Sequence, residues 1–186
     1  MKFKSYLNEA RGDERTKDIR DFLKKEFKLT NRDVGVRYDG SIRLTLKTVK
    51  ALPYMKKIEE AARKHESYQR DERTGDILRG GNTFVFIDLD WKFREKLVKQ
   101  IYAEVMKKVD DTFMNGEGGG NTIDIYGDYS IFKDRQSQAR GKDEFHTIHK
   151  KQSSAGPPQY DLMSAAGRVL HLMLKHEDEK NLKKLK

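Results

Sequence analysis

Apolar residues recur every three or four positions in four stretches of the chain, a spacing typical of helices that pack on one face. The first of these helices is predicted to begin at Asp13 or Thr16 and to end near Lys28. The other three are predicted after Pro53, over residues 91–109, and from Asp161 toward the C-terminus.

Strict alternation of apolar and polar residues predicts strands between these helices. Val34–Tyr38 and residues 42–47 alternate on either side of Asp39-Gly40, a dipeptide that favours the tight turn of a hairpin. Residues 83–89 have the strongest strand propensity in the chain, and Ile77-Leu78 is expected to pair with them.

The order of these elements predicts the fold class. A second hairpin is expected around Tyr126-Gly127-Asp128, which gives the order α-β-β-α-β-α-β-β-α. This order indicates an α+β fold with a mostly antiparallel sheet covered by helices. Four parts are predicted: a peptide at 1–10, an α+β core domain at 11–133, a long loop at 134–158, and a C-terminal helix with a basic tail at 159–186 that packs on the same domain.

Composition and charge narrow the classes of function. Hydrophobic residues make up 35% of the chain and charged residues 37%, so the core is lean and the surface heavily solvated. The formal net charge is +9, which favours polyanionic partners. The chain has no cysteine, and this excludes disulfides, thiolate metal sites and thiol nucleophiles. No apolar run is long enough for a transmembrane helix, so no membrane partner is expected.

The first ten residues contain the most specific motif. A basic start is followed by Tyr6 and then by Leu7-Asn8-Glu9 before Ala10. This stretch resembles the capsid-targeting peptides of internal head proteins from T-even-type tailed phages. In that family a maturation protease cuts after the Glu of a Leu/Ile-x-Glu site. The resemblance therefore implies a processing site formed by Leu7, Glu9 and Ala10, with cleavage between Glu9 and Ala10.

The same resemblance implies a location and a set of partners. The chain would lie in the virion, inside the capsid, and would then enter the host cytoplasm with the DNA. Its partners would be the phage maturation protease, the capsid or scaffold, and an unspecified host protein. A second interpretation stands beside it: Phe3, Tyr6, Leu7 and Ala10 fall at helical spacing, which is also typical of the first turns of an amphipathic helix.

The predicted strands place aromatic and basic residues on one side of the sheet. If Val85 and Ile87 face the helices, Phe84 and Phe86 lie on the opposite side. Aromatic rings can stack on bases while nearby cations neutralise phosphates. If the strands of the first hairpin pair with this strand, the pattern predicts a nucleic-acid or partner surface that consists of Arg37, Arg43, Lys47, Phe84 and Phe86. In the alternative interpretation, residues 122–132 or the last helix cover both rings, and the rings belong to the core.

One group of residues has the composition of a metal site. Two imidazoles and a carboxylate can bind a divalent metal that activates water. His146 and His149 follow Asp143-Glu144 and would share a face if this segment were helical. The HExxH pattern of zinc proteases is absent, and the group falls in the predicted loop. These four residues are weak candidates for metal ligands, and no cofactor is expected.

These observations lead to one main functional expectation and two alternatives. The main expectation is an internal head protein that is processed after Glu9, ejected, and then acts as a non-catalytic binder of a host enzyme or defence protein. The first alternative is a DNA-binding head protein, whose positive charge would act on the phosphates. The second alternative is an ejected metal-dependent nuclease-like enzyme that uses His146 and His149.

Overall fold

The computed structural model describes residues 3–68, 70, 73–74, 76–77, 82–115, 122–133 and 143–186. The chain divides into two compact units, Met1–Phe93 and Arg94–Lys186, here called the N-terminal unit and the C-terminal unit. Each unit contains helices and one three-stranded sheet. The predicted α+β class is therefore confirmed.

Helix α1 covers Phe3–Phe27. The predicted start at Asp13 or Thr16 is wrong because the backbone is already helical from Phe3 onward. Capping residues mark a helix start only where the preceding chain leaves the helix, and residues 3–11 are largely good helix formers. The helix ends before Lys28, whose φ of 57° is the left-handed conformation common just after a helix.

The hairpin predicted after α1 is confirmed. Strands β1 (Val34–Tyr38) and β2 (Ile42–Leu46) pair antiparallel, and Gly40 in the turn has a φ of 88°. Strand β3 (Val85–Leu89) pairs with β2 in parallel, so the sheet order is β1-β2-β3. Parallel pairing requires a long crossover connection. A 3-10 helix (Val49–Tyr54) and helix α2 (Met55–Arg63) supply part of that connection.

Helices cover one side of this sheet. Helix α1 contacts β1 and helix α2 contacts β3. Val36, Leu44 and Val85 point to that side and are buried, and they form the core with Ile19 and Leu23 of α1. The strand residues between them point to the opposite side.

The predicted pairing of Ile77-Leu78 with β3 is not found for Ile77. Ile77 forms an isolated bridge with Arg70, and Leu78 lies outside the described residues. Ser67 instead forms the antiparallel bridge to Thr83, immediately before β3. Two antiparallel bridges, Ser67 with Thr83 and Arg70 with Ile77, therefore precede β3.

The C-terminal unit begins within helix α3 (Trp91–Met106), which is followed by helix α4 (Asp111–Asn115). The second predicted hairpin is confirmed as strands β4 (Thr122–Ile125) and β5 (Tyr129–Lys133). A third strand, β6 (Phe145–His149), pairs antiparallel with β5. The sheet order is β4-β5-β6.

Strand β6 corrects the predicted loop at 134–158. Residues 145–149 form a strand, while residues 134–142 lie outside the described residues. The burial of this strand alternates, with Phe145, Thr147 and His149 inward. Because two of the three inward residues are polar, hydrophobicity alone did not reveal the alternation.

The last elements are helices α5 (Leu162–Lys175) and α6 (Glu179–Leu182). Asp161 caps α5, since its side chain accepts a hydrogen bond from the Ser164 N–H at 2.7 Å. Helix α5 contacts β6, and Leu182 and Leu185 of the C-terminal segment are buried. Within the described ranges, none of the helices is both long enough and apolar enough to cross a membrane.

The division into units differs from the predicted core domain at 11–133. Sequence signals for a domain boundary are polar or flexible linkers between elements. Here the division falls between Phe93 and Arg94, within α3, where helical periodicity continues. The C-terminal segment 159–186 belongs to the same unit as β4, β5 and β6.

Asp33 connects the two ends of the first hairpin, and its replacement tests this part of the fold. Its carboxylate accepts hydrogen bonds from the Thr30 N–H at 2.9 Å and from the Thr48 hydroxyl at 2.9 Å. Burial opposes ionisation, but these hydrogen bonds outweigh it and lower the pKa of Asp33. We expect Asp33→Asn to reduce the free energy of unfolding by about 1–2 kcal/mol in urea titrations near neutral pH.

The pH dependence provides a second measurement for the same variant. The stabilisation by ionised Asp33 is present above about pH 4 and is lost as the pH falls further. Wild type and Asp33→Asn should therefore converge in acid. Asp21→Asn, an exposed change on α1, is the matched control and should remain close to wild type. Equal effects of the two substitutions would contradict this role for Asp33.

Candidate functional site

The side of the N-terminal sheet opposite α1 and α2 carries a row of exposed residues across all three strands. Arg37 on β1 stands opposite Arg43 on β2, which stands opposite Phe86 on β3. All three are exposed, whereas their strand neighbours Val36 and Val85 are buried. We call this side the open face, and it contains three of the five residues predicted for a binding surface.

Arg43 and Phe86 make a direct contact on the open face. The guanidinium carbon of Arg43 lies 5.3 Å from the centroid of the Phe86 ring, within the range of a cation–π interaction. Phe86 remains 45% exposed, so the core interpretation is wrong for this ring. Arg43 also pairs with the Asp39 carboxylate at 3.1 Å, in an ion pair whose members are both more than half exposed. Such exposed pairs contribute little to stability.

Lys47 lies on the same face, and Gly35 makes room for it. A Cβ atom on residue 35 would lie 3.1 Å from both Cε and Nζ of Lys47, so the lysine side chain crosses the strand over this glycine. Its ammonium is 3.5 Å from the carbonyl oxygen of Asn31. Lys47 is therefore a fourth member of the open face and remains exposed.

Phe84 lies beside the open face and is half-buried. Its ring is nearly parallel to that of Tyr68, with 6.5 Å between the centroids and 10° between the planes. The guanidinium carbon of Arg70 lies 5.1 Å from the Tyr68 ring centroid. Phe84, the fifth residue predicted for the surface, thus contacts Tyr68, a residue that the sequence did not indicate.

Sequence reasoning missed Tyr68 and Arg70. Both precede the polar stretch before β3, where no periodicity predicts an element. The bridge between Ser67 and Thr83, which joins residues distant in sequence, brings Tyr68 to Phe84. The only local signal for this contact is that an aromatic residue, Tyr68, follows Ser67. That signal predicts nothing unless the pairing of Ser67 with Thr83 is already known.

The predicted metal ligands do not converge. Because side chains alternate along a strand, His146 and His149 of β6 point to opposite sides of the sheet. His146 stacks on Phe132 with 5.4 Å between the ring centroids, and its Nδ1 lies 3.3 Å from the Gly156 carbonyl oxygen. His149 is buried on the other side. The segment is a strand, so the helical face that would have joined the two imidazoles does not form.

The two acidic residues predicted as metal ligands, Asp143 and Glu144, do not lie in a metal-binding arrangement either. The Asp143 carboxylate pairs with the ammonium of Lys133 at 2.7 Å. Lys133 is buried and donates a further hydrogen bond to the Met114 carbonyl oxygen at 2.8 Å, so this pair ties β5 to helix α4. Glu144 is half-buried at the start of β6. Within the described part of the chain, no three His, Asp or Glu side chains come together in a way that could hold a metal ion.

His149 belongs instead to a buried polar cluster in the C-terminal unit. Its ring stacks on that of His176 with 4.4 Å between centroids and 18° between planes. Its Nδ1 accepts a hydrogen bond from the Lys151 N–H at 3.2 Å. On its other side lies the Tyr129 ring, whose hydroxyl donates to the Asp178 carboxylate at 2.7 Å. The cluster joins the β-sheet to the turn between α5 and α6.

Burial and hydrogen bonding shift the ionisation of this cluster. Burial is the main cause of the raised pKa of Tyr129, and the hydrogen bond to Asp178 adds to it. For Asp178, burial opposes ionisation, but hydrogen bonds from Tyr129 and Asn181 lower its pKa. Burial, together with the nearby His149 and Lys175, lowers the pKa of His176. The arrangement favours a neutral His176 beside an ionised Asp178.

The predicted processing site lies in helix α1. The backbone of Leu7, Glu9 and Ala10 is helical, and their side chains lie outside the described part of the chain. The alternative interpretation of these residues as helical turns agrees with this backbone.

The pH dependence of unfolding tests the buried cluster. Nε2 of His176 is buried and has no hydrogen-bond partner among the residues that the structure describes. Because its pKa is lowered by folding, the unfolded chain binds a proton more readily below about pH 6.5. We expect the C-terminal unit to lose stability as the pH falls from about 7 to about 5. In thermal melts, His176→Gln should make the melting temperature depend less on pH over this range.

Lys180→Gln, an exposed change in the same unit, is the control and should keep the wild-type dependence. An unchanged pH profile for His176→Gln would contradict the role assigned to this imidazole.

The two groups of side chains differ in their access to partners. The open face, with its neighbours Phe84 and Tyr68, is accessible, whereas in the cluster around His149 the rings of His149 and Tyr129 are buried and His176 and Asp178 are half-buried. Of these two groups, the accessible one can meet a macromolecule. No protein-family model, no curated protein and no solved structure matches this chain.

Proposed function

We propose that this chain is an internal head protein of a T-even-type tailed phage that is ejected with the genome and acts as a non-catalytic binder through its open face. DNA is the ligand that the open face favours. The observation that carries this proposal is the exposed row of Arg37, Arg43 and Phe86 across three paired strands.

The chemistry of this row suits a nucleic acid. Guanidinium and ammonium groups release counterions when they neutralise phosphates, which is the main source of non-specific DNA affinity. An exposed aromatic ring adds stacking on a base. The charge of the N-terminal unit also supports this ligand, since residues 1–93 contain 22 Lys and Arg against 16 Asp and Glu, a net charge of +6.

A host protein is the second candidate ligand, and the acidic residues of the open face favour it. Asp39 pairs with Arg43, and the exposed Asp88 stands opposite Thr45 on the same face. Mixed charges with exposed aromatic and arginine side chains are typical of protein interfaces. Salt dependence separates the two ligands, because phosphate contacts weaken steeply as salt rises.

The location in the virion is supported by the resemblance at residues 1–10. Cleavage between Glu9 and Ala10 would require the first turns of α1 to unwind locally. Helix ends open at low cost in free energy, so the helical backbone is compatible with processing. Removal of residues 1–9 takes away Lys2, Lys4 and Glu9 and leaves a side-chain charge of +8, so the basic character belongs to the remaining chain.

The DNA-binding proposal predicts the effect of removing two cations from the open face. We expect the double variant Arg37→Ala/Arg43→Ala to bind labelled DNA at least tenfold more weakly in fluorescence anisotropy, with both single-stranded and duplex probes tested. The slope of log affinity against log salt should fall by about 0.7–0.9 for each phosphate that the variant no longer neutralises.

Matched variants make this measurement specific. Lys57→Ala/Lys64→Ala removes the same charge from exposed positions in and just after α2 and should change affinity much less. Asp39→Asn removes the carboxylate that pairs with Arg43 and should strengthen binding, whereas Glu60→Gln on α2 should not. If neither probe binds, or if both double variants lose affinity equally, DNA binding by the open face is wrong.

The proposed location predicts a definite N-terminus. Mass spectrometry of purified virions should detect this protein as a chain that begins at Ala10. Virions that carry a Glu9→Gln variant should retain the longer chain, because the residue after which cleavage occurs has changed. Detection of the wild-type chain from Met1, or its absence from virions, would overturn this part of the proposal while leaving DNA binding open.

A further inference from the structure

A second aromatic group lies next to the open face and extends it. It consists of Phe84 and Tyr68, whose rings are nearly parallel, and of Arg70, whose guanidinium lies 5.1 Å from the Tyr68 ring. We call these three residues the second stacking site. The first stacking site is Phe86 with Arg43. Each site thus combines an aromatic ring 45% exposed to solvent, Tyr68 or Phe86, with an arginine.

One ring of each stacking site, Phe84 and Phe86, lies on the same side of the segment that leads into and forms β3. Burial alternates along this segment: Thr83 and Val85 are buried, while Phe84 and Phe86 are more exposed. The inward direction of Thr83 is also marked by Arg15 of α1, which donates a hydrogen bond to its hydroxyl at 2.9 Å. Phe84 and Phe86 therefore follow each other on the outer side, two positions apart.

The spacing between Phe84 and Phe86 along the strand is larger than the spacing between stacked bases, so it suits bases that are unstacked from each other. Two residues of extended chain span about 6.6 Å, roughly twice the 3.4 Å rise per nucleotide of a duplex strand. Bases stacked on each other in a duplex are too close together to rest on both sites. A single strand can separate successive bases and lay one on each ring.

Access to the base faces leads to the same conclusion. In a duplex the flat faces of the bases are stacked, and only their edges reach the grooves. Aromatic side chains on a sheet can therefore stack on bases only if the strand is single or the base has been flipped out. The exposed cations Arg37 and Lys47 of the open face can reach the phosphates of such a strand.

From this geometry we infer that the open face and the second stacking site together bind single-stranded DNA in preference to duplex DNA, with neighbouring bases on Phe86 and on the Tyr68–Phe84 pair. The inference rests on the proposed DNA binding and names the form of DNA that the face selects. Arg43 and Arg70 lie against the rings and neutralise the adjacent phosphates.

Competition between two DNA forms tests this preference. Anisotropy with a labelled oligothymidine strand and with a duplex of the same length should show at least tenfold tighter binding of the single strand. Phe86→Ala and Tyr68→Ala should each weaken single-strand binding by about tenfold, the scale of stacking on one base. Binding of the duplex should change little, because its bases do not reach the rings.

Conservative variants distinguish stacking from a general loss of structure. Phe86→Tyr keeps an aromatic ring and should retain the affinity, whereas Phe86→Leu keeps an apolar side chain and should lose it as Phe86→Ala does. Tyr160→Ala, which removes an exposed ring from the C-terminal unit, should have no effect. Thermal melting confirms that each variant is folded.

The outcomes separate this inference from the proposal on which it rests. Equal affinity for single strand and duplex, with loss of both in Arg37→Ala/Arg43→Ala, would overturn the preference and leave DNA binding by the open face intact. An affinity for the single strand that Phe86→Leu preserves would also overturn it. If neither probe binds to the wild-type chain, both the inference and the proposed DNA binding fail.

Discussion

The central position of β2 in the N-terminal sheet determines the architecture of the candidate site. Ile42, Leu44 and Leu46 are all buried and pair with β1 on one side and β3 on the other. Since side chains alternate along a strand, burial of these three forces Arg43 and the residues that follow it at every second position to the opposite side. A slip of one residue would bury the cations and expose the aliphatic side chains. The open face is therefore a direct consequence of the register that builds the core.

This dependence explains why part of the site could be predicted from sequence. Apolar and polar residues alternate regularly in β1 and β2, so the side of the sheet that carries Arg37, Arg43 and Lys47 follows from the local pattern alone. In β3 residues 84–87 are all apolar, so the side of Phe86 could be predicted only on the condition that Val85 and Ile87 face the helices. The contact between Arg43 and Phe86 requires only that β2 and β3 be neighbours. The hairpin turn at Asp39-Gly40 fixes the first pairing. The pairing of β2 with β3 could only be assumed, because it joins segments that are separated by a helix and a long polar stretch, and its parallel direction was not predicted.

The features that could not be predicted depend on long-range pairing or on polar residues in buried positions. Tyr68 meets Phe84 because Ser67 bridges Thr83. Strand β6 could not be predicted because two of its buried positions hold the polar residues Thr147 and His149, so apolar and polar residues do not alternate in its sequence. His149 can be there because its Nδ1 accepts a backbone hydrogen bond and its ring packs on His176. A buried polar group that is satisfied by distant partners leaves no local trace in the sequence.

The ion pair between Asp39 and Arg43 competes only weakly with a phosphate for the guanidinium. Both side chains are more than half exposed, and such pairs are worth at most about 1 kcal/mol. A phosphate can therefore replace the carboxylate at low cost. In the free protein the Arg43 guanidinium lies 5.3 Å from the centroid of the Phe86 ring. A phosphate that replaces the Asp39 carboxylate can leave this cation–π contact in place, so a DNA ligand would compete with the carboxylate and not with the ring.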